Sequence, residues 1–215
     1  MVVYDENFEE IRRLYDPSED AASRPVPLDE LFFYNTAKHI SQLQLKFHAR
    51  PSPIPDESSL VVHIDGACRG NGTPAAKASY GVYFGPGSSF NTYGLVPSSD
   101  PQTSTRAEIE ALKQALGVIC GITDKVFKLM YIKIATDSSF LVNAMSRWME
   151  RWIEDGGIGS NGKEVAHFVY LKAMHEKLYH MEYSDDGGRE VQFWHVPRER
   201  NSEADQLANK ALDEL

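Results

Sequence analysis

Residues 61–72 read VVHIDGACRGNG, three β-branched residues and a histidine leading into Asp65-Gly66 and then a run of mostly small residues. Leu60–Asp65 is expected to form a strand that ends in a glycine turn. Ser79–Phe84 and Phe90–Val96 are two further strands, split by Gly85-Pro86-Gly87, a hairpin signal. Gln102–Ile119 carries a helical apolar period, Met130–Thr136 is a strand, and a helix follows through Trp152. Gly156-Gly157-Ile158-Gly159 breaks that helix. Val165–Met181 is helical, Asp185-Asp186-Gly187-Gly188 a turn, Glu190–Val196 a strand and Asn201–Leu215 a last helix. Three consecutive strands predict an antiparallel meander, and strands separated by helices predict parallel additions to the same sheet. The expectation is an α/β fold with a mixed five-stranded sheet flanked by helices.

Upstream of this unit the pattern changes. Residues 1–27 are acidic with scattered prolines and read as a loosely attached lead. In 28–48 the apolar residues Leu28, Leu31, Phe32, Ile40, Leu43 and Phe47 suit one or two amphipathic helices, either packed on the main unit or binding a partner. Arg50–Ser59, rich in proline and acids, reads as a linker. The division expected is therefore 1–57, an N-terminal helical extension, and 58–215, the main domain.

The chain has 215 residues and a net charge of −9, of which 1–57 contributes −5 and 58–215 contributes −4. An acidic balance disfavours a nucleic-acid partner unless bound cations offset it. No long apolar run predicts a membrane span, and no secretory or transit signal is evident in Met1–Glu10, so an intracellular protein, nuclear or cytoplasmic, is expected. Cys68 and Cys120 are too few for a disulfide framework.

Four acids stand at element ends: Asp65, Glu108, Asp137 and Asp205. Each has a plain local explanation. Asp65 would make a turn with its own backbone, and Thr105 with Glu108 would form a capping box. Asp137 would cap a helix, and Asp205 would complement a helix dipole. Jointly they can converge above one sheet, at the carboxyl ends of strands. Such a cluster cannot stay ionised in a dry site without cations, and all-oxygen donors favour magnesium or manganese over zinc.

The segments VVHIDGACRGNG (61–72), TSTRAEIEAL (103–112), KIATDSSFLVNAM (133–145) and NSEADQLANKAL (201–212) resemble, in order and spacing, the four motifs of the ribonuclease H family, type 1. The resemblance covers about residues 58–214. It implies a ribonuclease H-like fold and endonucleolytic hydrolysis of RNA paired with DNA, leaving 5′-phosphate and 3′-hydroxyl ends. It also implies two Mg2+ ions, with Mn2+ a substitute, held by Asp65, Glu108, Asp137 and Asp205. The turn Gly66-Ala67-Cys68-Arg69-Gly70-Asn71 would approach the RNA strand, with Asn71 matching a substrate-binding asparagine. Ser104 and Thr105 stand where the family carries longer amides. Ser138 and Asn143 could reach a DNA phosphate; Ser138 could equally cap the helix. Trp148, four residues from Trp152, either packs in the core or lines a channel for the DNA strand, and Arg106 either serves this site or pairs locally.

Two departures stand out. His195 has the family's distance from Asp205, yet Trp194-His195-Val196 reads as strand, with the usual histidine-bearing loop shortened. Arg198 or Arg200 would then assist electrostatically. The segment 153–163 is acidic and glycine-rich where many members carry a basic protrusion. The lead lacks the basic, aromatic hybrid-binding module of many eukaryotic members. The sequence leaves two competing readings, a catalytically weak or inactive hybrid-binding domain and another nuclease on the same fold. A monomer acting on an RNA–DNA hybrid is expected, with any protein partner of the lead unspecified.

Overall fold

The computed structural model describes residues 3–4, 10–126, 128–183 and 188–214. In chain order the elements are β1 (Val3–Tyr4), β2 (Glu10–Ile11), β3 (Phe32–Asn35), β4 (Ile40–Leu45), β5 (Ile54–Pro55), β6 (Ser59–Arg69), β7 (Lys77–Tyr83), β8 (Thr92–Leu95), α1 (Ser104–Thr123), β9 (Tyr131–Thr136), α2 (Ser139–Asn143), α3 (Met149–Glu154), α4 (Phe168–Glu182), β10 (Glu190–His195) and α5 (Ser202–Asp213). A π-helical turn, Ala144–Trp148, joins α2 to α3, and a short 3-10 turn, Arg198–Arg200, precedes α5. The turn expected at 185–188 lies, but for Gly188, outside the described residues.

The five expected strands are present as β6 to β10. β6, β7 and β8 are antiparallel, and β9 and β10 add in parallel on the other side of β6. Helix α1 forms because Ile109, Leu112, Leu116 and Ile119 recur at helical spacing; all four are fully buried against Leu60, Val62 and Ile64 of β6. With α4, this layer covers one face of the sheet.

The expected N-terminal helices are corrected to strands. Residues 32–35 and 40–45 form β3 and β4, which bring the main sheet to eight strands with β5. The spacing of Leu28, Leu31, Ile40 and Leu43 fits a helix, but Phe32-Phe33-Tyr34 is an aromatic run better suited to a pleated strand. A turn then intervenes: the Asn35 side-chain oxygen accepts the Ala37 and Lys38 amides at 3.1 Å, and His39 adopts φ 56°. β4 pairs with β6 at Ser41↔Val61, on the same edge of β6 that serves β7 from His63 onward.

The lead is not loosely attached beyond residue 10. The Phe193 amide donates to Arg13 O at 2.8 Å and the Tyr15 amide to Phe193 O at 2.9 Å, so the lead covers the outer edge of β10. Tyr15, Val26, Leu31 and Leu43 then bury Val61, Ala135, Trp194 and Val196 on the sheet face opposite α1. Arg13 adds a buried ion pair to Glu182 of α4 at 2.7 Å. The stretch expected as a linker contains β5, paired to β4.

Helix α5 covers the rest of that second face, and it does so closely. A Cβ on Gly81 of β7 would fall 2.2 Å from Ala204 O and 2.6 Å from Ala208 N of α5. Among the described residues, no helix is long and apolar enough to cross a membrane.

Candidate active site

β6 and β9 run together as far as the pair His63↔Ala135. Asp65 and Asp137 each stand two residues further on, where β9 has ended and β6 continues with β7 alone. The strands thus diverge at a point both acids flank, the place where ligands collect in open α/β sheets. Asp65 is paired with Gly81, so its side chain leaves on the α5 face and meets Asp205 from that helix's first turn. Gly66 points the opposite way. A Cβ there would lie 2.3 Å from the Glu108 amide, so the glycine lets α1 press against the strand and carry Glu108 to the same opening. All four acids line one cavity of about 440 Å³ with Ser104, Ser138, Arg198 and Asn209.

Three of the plain local explanations fail. Asp65 lies inside an eleven-residue strand rather than at a turn, because Gly66 serves helix contact and the chain reverses only at 70–73. The cap of α1 is Thr103, whose hydroxyl accepts the Arg106 amide, so Thr105 and Glu108 form no capping box. The cap of α2 is Ser138, not Asp137. Asp205 does sit in a first turn, where its charge suits the helix.

The electrostatics follow from the crowding. Burial, then the Asp137 charge, push Asp65 up from 3.8 to about 8; the Gly66 amide at 2.9 Å opposes this and Asp205 adds to it. Burial likewise pushes Glu108 up, the Ser138 hydroxyl that donates to it pulls it back down, and Asp137 raises it. Asn201, 1% exposed, donates from Nδ2 to Asp137 Oδ1 at 3.1 Å and to Ile64 O at 3.0 Å. It ties the end of β9 to β6, a role that its own sequence neighbourhood did not signal. Arg198 Nη2 stands 3.3 Å from Asp205 Oδ1.

The remaining expected site residues divide. Gly66, Cys68, Ser104 and Ser138 line the cavity, Ser138 both capping α2 and holding Glu108. Thr105 is half-buried next to Ser104, and Gly70 and Asn71 are exposed beyond the end of β6. Arg69 turns away: it donates to Leu212 O at 3.2 Å and pairs with Asp213 at the far end of α5. Asn143 donates to Ser139 O and faces a separate cavity, which Arg200 also lines. His195 is the last residue of β10, paired with Thr136, with Nε2 3.3 Å from Asp137 O. Trp148 is 38% exposed and packs at 5.5 Å from Trp152. Arg106 pairs locally: it is buried between Asp100 and Glu110, both at 2.6 Å, under the Tyr170 ring at 4.2 Å.

A cation fits this donor set. Every donor is an oxygen, and burial beside the Asp137 charge pushes Asp65 far above an ordinary aspartate, a penalty that a cation would relieve. Among the described residues no group of three or more His, Cys, Asp or Glu side chains forms a ready-made metal cage. An open cradle is what magnesium takes, since it is bound through one or two carboxylates and keeps waters or phosphates on its other sites.

A mixed sheet with this element order, opened between its central parallel strands and lined there by acids, defines the ribonuclease H-like fold class. Its solved relatives include the ribonuclease H1 LC11 isolated from compost, with TM-score 0.51, 23% identity and coverage of 73% of this chain and 97% of that one. The same enzyme in complex with an RNA/DNA hybrid aligns with TM-score 0.50 and 25% identity, covering 72% and 96%. The RNase H family model matches residues 57–213. The chain belongs to the RNase H family. Mouse Ribonuclease H1 is 32% identical over 156 residues, covering 71% of this chain and 50% of that protein. The human protein is 34% identical over 181 residues, covering 76% and 57%. The chain thus spans about half the length of these curated relatives.

Proposed function

We propose that the chain is an endonuclease that hydrolyses the RNA strand of RNA–DNA hybrids, leaving 5′-phosphate and 3′-hydroxyl ends, with two Mg2+ ions that Mn2+ can replace. The observation that carries this reading is the meeting of Asp65, Glu108, Asp137 and Asp205 in one cavity at the β6–β9 divergence. These four residues would hold the ions. Bound there, such ions supply water activation and charge stabilisation at a phosphodiester.

The chain's own side chains set the geometry. Asn201 fixes the Asp137 carboxylate relative to β6, and Ser138 fixes Glu108, so two acids on different elements are held by hydrogen bonds from a third and fourth. Arg198 stands beside Asp205 on the exposed side, placed to meet a phosphate oxygen. Cys68 and the Gly66 backbone border the cavity, where the substrate strand would pass and its 2′-hydroxyl could be read. We assign Arg69 to anchoring α5, and His195 to a strand end rather than to a mobile base. Residues 58–215 form the catalytic unit in this reading and 1–57 an added layer on it.

The test is cleavage of a labelled hybrid by the intact chain in Mg2+, beside Asp137→Asn and a chelator control. Cutting confined to RNA within the hybrid, lost in the variant and in chelator, is expected. Hybrid binding with equal absence of cutting by wild type and variant in both Mg2+ and Mn2+ would leave a binding domain and overturn the enzymatic reading.

A further inference from the structure

Beside the carboxylates, but separate from them, lies a cavity of about 570 Å³ between the N-terminal lead and the catalytic layer. Arg24 reaches it from the lead, Arg147 from the π-helical turn and Arg200 from the 3-10 turn before α5. Three guanidiniums around one opening repel one another, and an anion seated there would relieve that repulsion. Among the described residues none of the three has a carboxylate partner, a state they share with Arg12, Arg50 and Arg189, whereas Arg13, Arg69, Arg106, Arg151 and Arg198 are paired. Asp16 also borders the opening, its Oδ1 accepting from the Ser18 amide and hydroxyl, so the lining sets three guanidiniums against one carboxylate.

The cavity neighbours the carboxylate opening along the chain on one side and the tryptophan groove on the other. Pro197 and Arg200 line it while the intervening Arg198 reaches Asp205. Arg147 also lines the groove that holds Trp148 and Trp152. Its floor includes apolar side chains, with Leu28 47% exposed and Val142 beneath, beside the polar Ser139 and Asn143. Guanidinium groups around an apolar floor match the alternation of phosphate with sugar and base along a nucleic-acid strand.

We propose that this cavity seats the sugar-phosphate backbone of the hybrid as it runs past the cleavage site, which makes the N-terminal lead part of the nucleic-acid surface. The proposal rests on the hybrid being the substrate. It also supplies positive charge that the acidic segment 153–163 does not.

The test measures affinity of the intact chain for a two-turn RNA–DNA hybrid in chelator across a salt series. Wild type is compared with the double variant Arg24→Gln, Arg147→Gln and with Arg24→Lys, Arg147→Lys. Losing two phosphate contacts should make the log–log salt slope shallower by about 1.8, and lysine should restore it. Thermal melting of each variant excludes unfolding as the cause. If wild type binds the hybrid and the glutamine variant keeps the same slope, the cavity does not hold the backbone. A polyglutamate peptide bound by wild type and lost by the glutamine variant, with the hybrid slope unchanged, would overturn the proposal in favour of an acidic protein segment. If wild type binds no hybrid in chelator and none with Ca2+ in place of chelator, the substrate reading falls and this inference falls with it.

Discussion

Replacing Asp65 with asparagine should stabilise the metal-free chain while abolishing cleavage. Asp65 is 8% exposed and titrates at about 8, against 3.8 for an ordinary aspartate. Between those values the unfolded chain has released a proton that the folded chain retains, so stability falls as pH rises through that window. At about 1.4 kcal/mol per unit, retaining that proton costs the folded chain about 4 kcal/mol at pH 7 and about 2 kcal/mol at pH 5. Asparagine removes that cost but leaves an amide to be hydrogen-bonded in the same place, which returns about 1–2 kcal/mol. The net gain expected at pH 7 is therefore about 2–3 kcal/mol, a rise in melting temperature of about 8 °C for a chain of this size. The assay is thermal unfolding of wild type and Asp65→Asn in chelator at pH 5 and pH 8, repeated with Mg2+. The gain should shrink at pH 5, and Mg2+ should raise wild type more than the variant. Wild-type stability that climbs from pH 5 to pH 8 in chelator, or a variant no more stable than wild type at pH 8, would refute the reasoning.

Asn201→Ala removes the donor that links Asp137 to β6; cleavage should fall about 10- to 100-fold and stability by about 1–3 kcal/mol, read by steady-state kinetics and melting. Gly66→Ala places a Cβ 2.3 Å from the backbone of α1, so a loss of about 3 kcal/mol or more is expected in urea unfolding. Arg106→Gln removes the guanidinium that joins Asp100 to Glu110, while Lys113 and Gln114 still hold Glu110, so a loss of about 2–3 kcal/mol is expected in the same assay.

The catalytic layer was legible because its signals are local. Each of the four acids sits in a short motif, and the strands and helices between them carry clean periods. The lead was not legible because the apolar spacing of 28–48 fits two periods, and the deciding contact, Ser41 with Val61, is twenty residues away. The capping explanations for Glu108 and Asp137 failed because helix starts are set by which hydroxyl reaches a free amide. Here those hydroxyls belong to Thr103 and Ser138. Asn201 escaped notice for a similar reason: its partners, Ile64 and Asp137, belong to other elements. Arg69 looked like a substrate contact in its motif, and only the position of α5 shows where its guanidinium goes.

Anomalous scattering from a manganese-soaked crystal bears most directly on whether this acidic opening is a metal centre. Strong peaks should fall inside the cavity, with oxygens of Asp65 and Asp137 as ligands, and vanish in Asp137→Asn. Peaks confined to other acidic patches, with the four carboxylates left bare at saturating manganese, would contradict the account.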